Sequence, residues 1–170
     1  LDAAQQTGKL SYDGYKKVWS DEFNGDSLNR ADWNVETHEK GWVNNELQEY
    51  VDSSENIQVK DGKLIINPVK KVTDGDTGST KEAASYTSGR VSTQNKQTFI
   101  YGRFECRAKV PKGQGYLPAF WLMANDENVY GQWPRCGEID CMEVMGQETN
   151  KAYGTLHYGN PHSQSQGTYT

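Results

Sequence analysis

The chain has 170 residues, enough for one domain of ordinary size and too few for two comfortable ones. Lys and Arg number 18 against 23 Asp and Glu, a net charge of −5, so no basic footprint points to nucleic acid or an anionic membrane as partner. Leu, Ile, Val and Phe stay under about a fifth of the chain, a range that flags disorder, yet 5 Trp, 10 Tyr and 17 Gly beside so small a net charge favour a β-protein that meets a polar ligand through ring faces.

Residues 1–16 read as an N-terminal extension. They hold no apolar signal core, so a secretory leader is expected to be absent or already removed. No stretch approaches the roughly 18 apolar residues of a membrane span. Asn56 to Lys60, then Asp61-Gly62, then Lys63 to Asn67 predicts a hairpin with a two-residue Asp-Gly turn. Lys70 to Ser85 is polar and Gly-rich and predicts a long surface loop. Asp74 and Asp76 within it lack the further ligands of a calcium loop and read as a solvated turn.

Phe104, Cys106, Ala108 and Val110 alternate with Arg103, Glu105, Arg107 and Lys109, which predicts a strand with one dry and one wet face. Ala119 to Met123, Gly137 to Val144 and Tyr153 to Tyr158 are further predicted strands. No segment keeps a 3.6-residue period over three turns. Many short strands with Gly-rich turns point to a β-sandwich or barrel. Cys106, Cys136 and Cys141 form an odd set without a CxxC spacing, and His38, His157 and His162 are scattered, which argues against zinc. Free, buried or half-buried thiols are expected, with one bridge involving Cys136 as the alternative.

Residues 133 to 146 carry the chemistry. Glu138, Asp140 and Glu143 sit among Ile139, Cys141, Met142, Val144 and Met145. On a regular strand Glu138 and Asp140 share one face and Glu143 the other, beside Ile139. An unpaired buried charge costs several kcal/mol. One extra residue near Cys141-Met142, a β-bulge, restores the phase and puts all three acids on one face. Three adjacent acids on one sheet face repel, so at least one pKa should rise. Glycoside hydrolysis needs such a set: one ionised carboxylate and one protonated carboxyl. A solvent-facing acidic strand and a calcium site are the competing readings. Trp133, and the aromatics of Tyr116-Leu117-Pro118-Ala119-Phe120-Trp121, tilt the balance toward sugar, since indole faces stack on pyranose rings.

Gly-Glu-Ile-Asp-Cys-Met-Glu resembles the E-x-D-x-x-E signature of glycoside hydrolase family 16, and the fuller W-P-x-x-G-E-I-D-x-M-E string is similar to its bacterial laminarinase branch. Val18 to Phe23 with Trp33 resembles the family's N-terminal strand. Gly41 to Gln48 resembles its W-x-N-N-E-L-Q element, and Tyr86 to Val91 its T-S-G-R element. Tyr101 to Arg107, Pro118 to Leu122 and Gly154 to Gly159 follow in order. The resemblance covers residues 17–170, taken as the catalytic domain.

The resemblance implies an all-β jelly-roll sandwich of two antiparallel sheets with a concave cleft. It implies a retaining endo-glycosidase acting on β-1,3 or mixed β-1,3/1,4 glucans of the laminarin type, secreted, with no cofactor for catalysis. Carried over residue by residue, Glu138 is the nucleophile, Glu143 the general acid and base, and Asp140 the hydrogen-bonding group between them. Trp121 and Trp133 match sugar platforms. Asn44, Asn45 and Arg90 match residues that bind glucose hydroxyls, and His157 matches a cleft histidine beside the acid/base. Glu22 and Gly62 match a structural calcium site. The extra residue between Asp140 and Glu143 separates the chain from unbulged E-x-D-x-E members and leaves agarases, carrageenases and porphyranases open. A jelly-roll lectin and a calcium-dependent structural domain are the rival functions. Sandwiches of this kind run to about 200–250 residues, so the reading expects roughly 60–90 further residues of C-terminal strands, supplied by a complementing fragment or a second chain.

Overall fold

A computed structural model describes residues 12–71 and 85–170. The predicted Lys70–Ser85 loop, with Asp74 and Asp76, lies almost wholly outside the described residues, as does most of the N-terminal extension. The chain divides into two compact units, residues 1–96 and residues 97–170.

In the first unit, β1 (Asn34–Val35) pairs antiparallel with β7 (Val91–Ser92). A three-stranded sheet has β2 (Gln48–Tyr50) on one side of β6 (Ser85–Ser88) and β5 (Val69–Lys71) on the other. Its β2–β6 pairing is parallel. The predicted hairpin forms as β3 (Ile57–Lys60) and β4 (Lys63–Ile66), with Val59 opposite Leu64. Asp61 and Gly62 have φ of 53° and 71°, the left-handed pair that a two-residue hairpin turn of matching twist demands.

The core of this unit is small. Val59 is 6% exposed and Asn56 only 1%. The Asn56 amide donates to the Asn67 carbonyl at 2.9 Å and to Thr87 Oγ1 at 3.0 Å, so it ties the hairpin to β6. Residues 18–23, predicted as a strand, form none. Trp19, Phe23 and Trp33 cluster instead, with ring centroids 5.6 and 6.1 Å apart, and Trp33 Nε1 donates to Asp21 at 2.8 Å. Indole N–H groups need a partner when half-buried, and Asp21 supplies it.

The second unit is one antiparallel sheet in the order β11-β10-β9-β8, built from β8 (Ala119–Met123), β9 (Glu138–Glu143), β10 (Ala152–Tyr158) and β11 (Ser163–Tyr169). One short helix, α1 (Glu127–Tyr130), precedes β9, and the Asp126 side chain caps it by accepting from Asn128 N–H at 2.9 Å. Val144, Asp140 and Thr155 are the buried side chains here.

Two sequence expectations change in this unit. Residues 103–110 form no strand, because alternation defines a strand only where a neighbour completes the ladder. Arg103 and Glu105 pair with each other instead, at 2.7 Å. Ser163 to Tyr169, which carries no apolar alternation, is a seven-residue strand registered along the whole of β10. All three cysteines are free. Cys136 and Cys141 are half-buried, but Cys106 is exposed rather than buried.

Candidate active site

The site is built on β9. Along β8 the partners are Met123↔Glu138, Trp121↔Asp140, Phe120↔Met142 and Ala119↔Glu143. Two residues of β9 lie between Asp140 and Glu143 where one of β8 and one of β10 suffice, so the register shifts there on both sides. Cys141 is the unpaired extra residue, and this is the predicted bulge. It aligns Glu138, Asp140 and Glu143 with His157, Thr155 and Tyr153 of β10, alternate residues of one sheet face. Ile139 turns to the other face between Leu122 and Leu156.

Asp140 is the buried member, with its side chain 4% exposed. Burial comes first in holding its carboxyl protonated. Hydrogen bonding and the charges of Glu138 and Glu143 add to it, and its pKa is pushed up to about 8. The group that keeps its proton is therefore the middle acid. Two polar contacts hold the acid set: Trp133 Nε1 donates to Glu138 Oε2 at 2.8 Å, and His157 Nε2 lies 2.9 Å from Asp140 Oδ2.

Trp133 is 42% exposed, available to a ligand while its N–H holds Glu138. Its backbone N–H donates to Glu127 Oε1 at 3.2 Å, which also receives the Cys136 thiol at 3.6 Å. Helix α1 thus anchors the Trp133 turn. Trp121 stands on the acid face of β8, opposite Asp140. Sequence reasoning missed His162. It lies in the β10–β11 turn, its Nε2 is 2.9 Å from His157 Nδ1, and its ring centroid is 5.0 Å from that of Trp133. The only sequence signal was its five-residue spacing from His157.

Ligand atoms of Glu138, Asp140 and His157 lie within 4.8 Å of one another, a spacing that invites a metal reading. Two of those carboxyls already hold Trp133 and His157, and Asp140 keeps a proton that a cation would have to expel. An imidazole is also a poor ligand for calcium, which takes oxygen donors. The arrangement fits a hydrogen-bonded acid set better than a calcium centre.

The other candidates lie in the first unit. Asn44 and Asn45 occupy the tip of a loop closed by hydrogen bonds from Gly41 N–H to the Glu46 carbonyl and from Glu46 N–H to the Val43 carbonyl. Both have φ of 52°, a left-handed conformation that Asn tolerates, so the backbone alone gives a reason for these residues. Arg90 donates from Nε to Glu36 Oε2 at 2.9 Å and stands 5.0 Å from the Trp42 ring centroid. Trp42 stacks on His38 at 3.4 Å with 6° between the planes, and His38 Nε2 lies 3.1 Å from Glu36 Oε1. Glu36, His38 and Trp42 were not singled out from sequence. Glu22 is exposed, and a Cβ added to Gly62 would stand 4.0 Å from Asn24 Oδ1, so the hairpin turn approaches the loop that carries Glu22.

A family model described as "Beta-porphyranase A-D, GH16 domain" matches residues 15–169. The chain belongs to glycoside hydrolase family 16. This family 16 chain is 40% identical over 166 residues to glucan endo-1,3-beta-glucosidase A1 of Niallia circulans, covering 91% of itself and 24% of that protein. It is 46% identical over 143 residues to a glucan endo-1,3-beta-glucosidase of Cryptopygus antarcticus, covering 83% of itself and 50% of that protein. Among solved structures it matches the catalytic domain of an endo-1,3-beta-glucanase (laminarinase) from Thermotoga petrophila, with a TM-score of 0.77 and 37% identity over 91% of this chain and 62% of that one. The chain thus spans half or less of these curated relatives and under two thirds of that structure. With one short helix among its described residues, the family 16 chain has the all-β jelly-roll fold class.

Proposed function

We propose that the protein carrying this chain is a retaining endo-glycosidase that hydrolyses internal β-1,3 or mixed β-1,3/1,4 glucosidic bonds of laminarin-type glucans. The observation that carries the reading is the bulge at Cys141, which brings three carboxyls to one sheet face with the proton held on the middle one. In this reading Glu138 attacks the anomeric carbon while Glu143 gives its proton to the leaving oxygen. A covalent glycosyl–enzyme forms. Glu143 then takes a proton from water, the water oxygen attacks the same carbon, and Glu138 leaves with its electron pair. Asp140 offers its proton to the neighbouring glutamates, so that charge on Glu138 is balanced by donors from Asp140 and Trp133. Trp133 and Trp121 are the sugar platforms beside the cut. Arg90, Asn44 and Asn45 bind hydroxyls further along the chain of glucose units.

The two relatives named above support glucan as the substrate. The description of the matching family model favours a second reading, an algal galactan. A structural calcium at Glu22 and Gly62 and an extracellular location, where polymeric glucans are met, belong to the same proposal. The test is reducing-sugar release from laminarin, mixed-linkage glucan and porphyran by the full protein and its Glu138→Gln variant. Laminarin turnover that falls by about 10³-fold or more in the variant is expected. Equal rates in the two proteins, or turnover of porphyran alone, overturn the glucan reading.

A further inference from the structure

The acid set continues outward through two histidines. Strand β10 sets His157 opposite Glu138 and, diagonally on the same face, beside Asp140. The four-residue turn Gly159 to His162 then joins β10 to β11, with Tyr158 opposite Ser163. Gly159 has φ of 81°, and the turn folds His162 back beside His157. The two rings lie 21° from parallel with centroids 5.2 Å apart and nitrogens 2.9 Å apart. Their centroids are separated by that nitrogen distance plus about two ring radii, which is an in-plane N–H···N hydrogen bond and not a face-to-face stack. Exposure rises along the line, from Asp140 at 4% through His157 at 17% to His162 at the surface.

The direction of these bonds is fixed at the inner end. Asp140 stands between Glu138 and Glu143 on one sheet face, and the proton it keeps lies on their side, because neighbouring carboxylates without one repel. Among the described residues, β8 presents Trp121 and Met123 on this face and β11 presents Gln164 and Gln166, none of them titratable, while burial and Asp140 itself push the neighbouring Cys141 thiol up. The oxygen that faces His157 is then bare and accepts. His157 must donate from Nε2, its Nδ1 must be bare, and His162 must donate to it from Nε2. Every proton in the line points toward the glutamates.

We propose that His162 is a positioning residue that locks His157 in its Nε2–H form and so keeps the Asp140 proton directed at the glutamates. With His162 removed, His157 is free to carry its proton on Nδ1. Its bare Nε2 then draws the Asp140 proton away from Glu138 and Glu143. The inference rests on the glycosidase reading for its consequence in turnover but not for its geometry.

The experiment is nitrogen NMR of histidine-labelled full protein, which reports the His157 tautomer without any turnover, beside laminarin kinetics. Wild type should hold His157 as Nε2–H, and His162→Ala should show both forms. A histidine in the wrong tautomer costs up to about 10⁴-fold in kcat within a catalytic triad. His162 acts one hydrogen bond further out, so a roughly tenfold loss of kcat is expected, with KM within about twofold. His162→Gln keeps a donor and should recover most of kcat. His162→Glu offers only acceptors and should do worse than Ala. An Nδ1–H form in wild type, or an unchanged tautomer in His162→Ala, overturns the proposal. So does a rise in KM alone, which would make His162 a mere support for Trp133. Absence of glucan turnover with the expected tautomers would sink the substrate reading and leave this one standing.

Discussion

Asp140→Asn should make the protein more stable at neutral pH while lowering its activity. Asp140 holds its proton in the fold up to a pKa of about 8, against 3.8 for an ordinary aspartate. Between those values the folded state keeps a proton that the unfolded chain has released, so stability falls as pH rises through that window. Each pH unit is worth about 1.4 kcal/mol, which gives about 4 kcal/mol against the wild type at pH 7. An amide has no proton to lose. It still donates toward Glu138 and still accepts from His157. With imperfect replacement of the carboxyl, a gain of about 2–4 kcal/mol at pH 7 remains. At about 2–4 °C per kcal/mol for a domain of this size, the melting temperature should rise by about 4 °C or more. The gap should close as pH falls to about 4, where the free aspartate is itself half-protonated. Thermal unfolding of both proteins from pH 4 to 9 measures it. A gap that stays flat with pH refutes the reasoning. A variant less stable than wild type at pH 7 does so more sharply, since it would mean that an ionised Asp140 is paired with a protonated His157.

Gly146→Ala should lower stability by about 1–3 kcal/mol or more, read by chemical denaturation. Its Cβ would stand 2.0 Å from the Gly113 carbonyl oxygen and 2.8 Å from Tyr116 Cβ, and the hydrogen bonds Gly113 N–H to Gly146 carbonyl (2.9 Å) and Gly146 N–H to Tyr116 carbonyl (2.8 Å) leave that backbone little room to move. Glu36→Gln should raise KM for laminarin about fivefold with kcat unchanged, because the half-buried carboxylate that holds both Arg90 and His38 loses its charge. A fall in kcat instead would place Glu36 in the chemistry.

The site was legible in the sequence because its logic is one of phase. Acids at 138, 140 and 143 fit one face only with an added residue, and the structure has it at Cys141. The Asp61-Gly62 hairpin was legible for a similar reason, since few sequences tolerate two successive left-handed residues. Strand β11 was not legible. Ser-Gln-Ser-Gln-Gly-Thr-Tyr has no apolar alternation, all seven residues are exposed, and its register comes from the turn before it. Residues 103–110 erred the other way, with alternation but no strand among the described residues. The identity of the acid that holds the proton also lay beyond the sequence. Type and spacing do not rank three carboxyls by burial, and burial is what decides in favour of Asp140.

The hydrogen bond from Trp133 Nε1 to Glu138 has a use outside catalysis. Indole fluorescence responds to what its N–H touches. When Glu138 becomes an ester in the proposed glycosyl–enzyme, that contact exchanges an anion for a neutral oxygen. Trp133 would then signal each turnover by a change in emission, and an intermediate too brief to isolate could be followed by stopped-flow light without any added label.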